Sequence, residues 1–120
     1  MSLEAALLVG AGGSIGAVLR YHVGRWIDGE RFPVPTLVVN VLGSFVAGLV
    51  LFGGAGEGAV LFVAVGVCGA FTTYSSFSFQ TVRLWERGNR VRAGGNAIGN
   101  LGGCLAALWL AAVLVSFVGA

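Results

Sequence analysis

Four apolar runs, each long enough to cross a bilayer, leave this chain few folds to choose from. They extend from about Leu3 to Ile27, Val34 to Phe52, Ala59 to Leu84 and Ala93 to Val118. A spanning helix needs about 20 mostly apolar residues. Charged residues make up 10% of the 120-residue chain, against about 25% in soluble domains. That leaves too little polar surface for a water-soluble globule, and the mean hydropathy of +0.91 agrees. In lipid the backbone groups must pair within the segment, so the runs are helices. The connectors Asp28 to Arg31, Gly53 to Gly58 and Glu86 to Arg92 are short, so neighbouring helices run antiparallel. The expectation is an all-α membrane protein, one domain over residues 1–120, with four up-and-down transmembrane helices.

The third run is unlike the others. From Thr72 to Phe77 every residue is a hydroxyl or an aromatic (TTYSSF). Lipid tolerates such a cluster only where it faces protein or a water-lined path. The ten residues from Ala59 to Cys68 give about 15 Å of helix, roughly half of the ~30 Å hydrocarbon core. Gly66, Gly69 and β-branched Thr72 and Thr73 then weaken helix continuity. The third helix is therefore expected to break near the midplane. Freed carbonyls at such a break suit a cation, and the new helix N-terminus favours an anion.

Charge orients the chain. All seven basic residues are arginine, and the net charge is only +2, too small and too scattered for a nucleic-acid surface. Arg25, Arg31, Arg83, Arg87, Arg90 and Arg92 all belong to the membrane side of loops one and three, with Arg20 towards it; the other side carries no Arg or Lys. The positive-inside rule puts loops one and three in the cytoplasm and both termini outside, in a multi-pass plasma-membrane protein. Trp26 and Trp85 fall at the same interface, as an aromatic belt does. The start Met1-Ser2-Leu3-Glu4 lacks the positive region of a secretory signal, so the first run is read as a retained helix.

Within the spans, Gly12 and Gly16, and Gly95, Gly99 and Gly103, recur at spacing four, which lets helices approach closely. Thr36, Asn40 and Ser44 share a face of the second helix; Asn96, Asn100 and Cys104 share one of the fourth. These stripes fit helix-to-helix hydrogen bonding as well as pore lining. Cys68 and Cys104 read as small buried hydrophobes, and His22 has no second metal ligand nearby in sequence. The glycines from Gly10 to Gly16 miss the dinucleotide spacing by one residue and have no strand–helix alternation after them. Glu4, Asp28, Glu30, Glu57 and Glu86 all sit at ends or in loops, and no base is placed to activate a serine, so no enzyme is expected. Uncharged hydrogen-bond donors without a buried carboxylate favour an anion over a cation. Tyr74 and Phe77 share a helical face, and aromatic ring edges carry the positive end of the ring quadrupole.

At this point the chain resembles a known family, the small fluoride channels called Fluc or CrcB. Three blocks carry the resemblance: Gly12 to Tyr21 (GGSIGAVLRY), Thr36 to Phe45 (TLVVNVLGSF) and Gly66 to Phe77 (GVCGAFTTYSSF). The resemblance implies an antiparallel dimer with two narrow pores that pass fluoride. It places two ring edges at Tyr74 and Phe77, hydroxyls at Ser75 and Ser76, and the pore asparagine at Asn40. It also implies a structural Na+ at the dimer interface, on backbone carbonyls of Gly69 and Thr72, and an entrance arginine at Arg20. Tyr74 stands where the family usually has phenylalanine. Asn96 and Asn100 stand where the fourth helix usually offers a tyrosine and a serine, and they complete the expected pore set.

The expected function is passive fluoride export from the cytoplasm, which lowers fluoride toxicity. A small four-helix proton-coupled multidrug exporter is the rival, and the missing intramembrane carboxylate argues against it. A non-conducting subunit of a heterodimeric fluoride channel is the second rival. An antiparallel dimer needs two orientations, yet the arginines encode one. A heterodimer with an oppositely oriented paralogue is therefore preferred to a homodimer on charge grounds.

Overall fold

A computed structural model describes residues 2–119. It holds four helices long and apolar enough to cross a membrane, and its longest dimension is 47 Å, comparable to the ~40–45 Å of a whole bilayer. Helix α1 is Leu3–Trp26, α2 is Val34–Phe52, and the third span is Glu57–Glu86. That span comprises α3 (57–71) and α4 (Tyr74–Glu86); α5 is Arg90–Gly119. The third span begins two residues before Ala59 and the fourth three before Ala93, because helical hydrogen bonding continues past the point where hydropathy fades.

The ends are built from local rules. The Ser2 hydroxyl accepts the Ala5 amide at 3.1 Å and caps α1. Pro35 sits at the entry of α2, where its missing N–H costs nothing. Just beyond the end of α4 and its C-cap Arg87 stands Gly88, whose φ of +84° suits glycine. There the Gly88 amide donates to the Trp85 carbonyl and the Asn89 amide to the Leu84 carbonyl, a Schellman closure.

Packing divides the third span between two neighbours. Helix α3 packs on α1, α4 packs on α5, and α2 lies along α5. The glycine faces make the first interface. A Cβ on Gly12 would run into the Phe62 carbonyl oxygen, and one on Gly16 into that of Val67. Gly99 and Gly103 face α2 instead, and Gly95 faces Phe32 of loop one; a Cβ on Gly103 would come within 2.8 Å of a Val41 methyl. Against the glycine face of α1, Val60–Cys68 winds in wide π-type turns. The sequence reading treats this stretch as plain helix. Its β-branched valines at 60, 63, 65 and 67 weaken ordinary α-turns, and π-type turns often mark functional places.

The arginines gather at one end. Arg31, Arg83 and Arg87 line one pocket, and Arg92 donates to the Arg31 carbonyl at 3.3 Å across loops one and three. Glu4 and Glu57 meet at the other end, with the N-terminus and loop two. Trp26 and Trp85 are both exposed at the arginine end; His22 stacks on Trp26 at 5.4 Å between ring centres.

Candidate functional site

The third span is interrupted at Thr72 and Thr73. Both have extended backbones (φ −80°, ψ 163° and φ −151°, ψ 124°), and helix resumes at Tyr74. Two side-chain caps hold the interruption. The Thr72 hydroxyl folds back onto the Cys68 carbonyl at 2.9 Å. The Thr73 hydroxyl accepts the Ser76 amide at 3.1 Å and lies 3.3 Å from the Ser75 hydroxyl. Thr73 is thus the N-cap of α4.

Asn40 on α2 clasps the extended backbone from the side. Its Oδ1 accepts the Thr73 amide at 2.7 Å, and its Nδ2 donates to the Thr73 carbonyl at 3.0 Å. The Thr73 N–H can only donate, so it fixes which way the Asn40 amide points. The other Nδ2 hydrogen donates to Asn100 Oδ1 at 2.8 Å. Asn100 in turn donates to Asn96, at 3.0 Å to Oδ1 and 2.9 Å to the backbone oxygen. Asn96 donates to the Thr81 hydroxyl at 2.8 Å, and Thr81 to the Phe77 carbonyl at 2.7 Å. One backbone amide therefore sets the direction of a relay through α2, α5 and α4.

Beside this relay a groove of about 330 Å³ opens. Asn40 and Ser44 of α2, the Thr72–Thr73 break and the rings of Tyr74 and Phe77 form its walls, and Asn100, Leu101 and Cys104 of α5 complete it. The Tyr74 and Phe77 rings stand 5.9 Å apart, tilted by 48°. Tyr74 is 81% exposed, so its ring projects outwards from the bundle.

The expected residues divide accordingly. Asn40, Tyr74, Phe77 and Asn100 meet at the groove. Ser75 is exposed at the first turn of α4, and Ser76 contributes its amide to the cap. Asn96 is wholly buried behind Asn100 and touches the groove only through it. Arg20 approaches from the α1 side, its Nη1 3.5 Å from the Thr72 carbonyl oxygen. Thr73 and Thr81 carry roles that the sequence reading does not assign. For Thr73 a signal existed: a threonine directly before a helix start is a standard N-cap. Thr81 has none, because its partner lies on another helix.

The carbonyls around the break suit a monovalent cation. With the Thr73 amide given to Asn40, the Gly69 carbonyl loses its helical donor four residues on. The Thr72 carbonyl lies beyond the last turn of α3. Unwound carbonyls of this kind are known ligands for Na+ in membrane proteins. Gly69 is exposed, so its carbonyl is not sealed inside the bundle.

Four apolar spans, a half-helix ending mid-span and a groove without a charged residue define a class: small multi-pass membrane proteins with their site at a broken helix. Residues 7–112 match the family described as CrcB-like protein, Camphor Resistance (CrcB). The chain is 50% identical over 118 residues to the Fluoride-specific ion channel FluC 2 of Haloarcula marismortui, covering 98% of this chain and 99% of the relative. It is 46% identical over 111 residues to FluC 1 of Halobacterium salinarum, covering 92% and 93%. Identity to the FluC of Thermus thermophilus is 47% over 108 residues, covering 84% and 85%. The chain belongs to the CrcB family.

Proposed function

We propose that the chain forms a fluoride-selective channel, which lets fluoride leave the cytoplasm down its electrochemical gradient. It is no enzyme. The observation that carries this reading is the groove at the break, which has no charged residue and sets amide and hydroxyl side chains beside two aromatic rings. All five carboxylates lie at helix ends or in loops, which removes the usual acidic relay of a proton-coupled exporter. The names of the relatives point the same way.

In this reading fluoride passes the ring edges of Tyr74 and Phe77, with Ser75, Ser76, Asn40 and Asn100 replacing its water. Both Asn40 N–H groups are already committed, one of them to Asn100 Oδ1. A charged acceptor forms stronger hydrogen bonds than a neutral amide oxygen, so the entering anion takes that second N–H. Asn96 supports Asn100 from behind. Arg20 stands near the entrance.

The exposed Tyr74 ring and the open groove call for a second subunit, supplied in an antiparallel dimer. Loops one and three are cytoplasmic on the positive-inside rule, and this bias favours a heterodimer with an oppositely oriented paralogue. That relatives carry the numbers FluC 1 and FluC 2 fits such pairing. A structural Na+ on Gly69 and Thr72 would hold the subunits together.

The test is efflux from liposomes holding the purified chain, with and without a candidate paralogue. Fluoride efflux far above chloride efflux is expected in at least one arm. No fluoride flux in either arm overturns the channel. Flux only with the paralogue supports the heterodimer.

A further inference from the structure

We propose that Arg20 is a built-in rival of the sodium ion for the Thr72 carbonyl. The inference rests on the sodium reading above and concerns what this chain's own side chain does at that site. Arg20 lies six residues before Trp26, the last residue of α1, hence about 9 Å inside the arginine-rich end. The other six arginines are at helix ends or in loops. An arginine at that depth is costly and needs a named partner. Its partner is the Thr72 carbonyl, 3.5 Å from Nη1.

That carbonyl follows the C-terminal end of α3, where the helix dipole is negative and a cation is favoured. A guanidinium and a sodium ion answer the same demand. They cannot answer it together, because two positive charges on one oxygen sit within a few ångströms of each other. The two carbonyls of the ion site are therefore unequal. The Gly69 oxygen has lost its helical donor to Asn40 and has no rival cation, whereas Thr72 is contested. Arg20 is exposed in the single chain and is held there by one 3.5 Å contact, so displacing it breaks no other hydrogen bond. Sodium capture then includes the release of Arg20, and Arg20 raises the sodium concentration at which the assembled protein locks.

Thermal unfolding of the assembled, purified protein in detergent, across a sodium series balanced with choline, tests this. Wild-type Tm should rise with sodium. In Arg20→Gln the half-saturating sodium concentration should fall by about tenfold, the scale of one charge-assisted hydrogen bond. Arg20→Lys keeps the charge and should fall between. Arg25→Gln is the control: Arg25 donates to the Tyr21 hydroxyl on its own helix at 3.1 Å, and its loss should leave the wild-type midpoint in place. A sodium response in wild type with an unmoved or raised midpoint in Arg20→Gln overturns the rivalry and leaves the sodium site standing. An equal shift in Arg25→Gln also overturns it, since the effect would then be a general field. No sodium response in any of the four proteins removes the sodium site and the rivalry with it.

Discussion

Asn40 concentrates more chemistry than any other side chain here. It satisfies both backbone groups of Thr73 and starts the relay to Asn100. Asn40→Ala leaves two buried backbone groups unpaired, a loss of about 2–4 kcal/mol, read as a lower Tm together with lost fluoride flux. Tyr74 is the opposite case. Its ring is mostly exposed in the single chain, so Tyr74→Phe should leave stability within ~0.5 kcal/mol and retain flux. Phe77→Ile should sharply reduce flux in the same liposome assay, because an aliphatic side chain has no electropositive edge; unchanged flux would return Phe77 to plain packing. Spacing alone makes the Asn40, Asn96 and Asn100 stripes legible in the sequence. It does not separate the groove-facing Asn100 from the sealed Asn96, because that depends on which helix comes to cover each one.

At the level of elements, the four spans are readable to within three residues at each end, since hydropathy sets them. The wide turns of Val60–Cys68 are not, because they arise against the bare face of α1 and leave no periodic mark. That face gives a paired prediction. Gly12→Ala forces a methyl into the Phe62 carbonyl and should cost about 1–3 kcal/mol. Gly10→Ala, on the same helix with nothing within 4 Å, should gain about 0.5–1 kcal/mol. Unfolding midpoints of the two variants in one detergent should move in opposite directions. Thr73→Ala removes the cap of α4 and should cost about 1 kcal/mol in the same measurement.

For the molecule as a whole, the arginines at one end make orientation testable. A membrane-impermeant maleimide should label Asn89→Cys from the cytoplasmic side alone; equal labelling from both sides would remove the case for a heterodimer. The spans leave the pairing of subunits illegible, since a monomer's charge bias says which way it inserts and nothing of its mate. The Asn relay has a further consequence for how the bundle answers a charge. Each amide is held in one orientation by its predecessor, back to a peptide group that cannot rotate. Water meets an arriving ion by turning its dipoles and spends free energy in doing so. Here most of the dipoles have already been turned during folding, so the groove behaves less like a solvent than like a permanently polarised solid. Such a medium discriminates by where its field was set: an arriving ion displaces the one link from Asn40 to Asn100, and the rest of the chain of amides stays as folding left it.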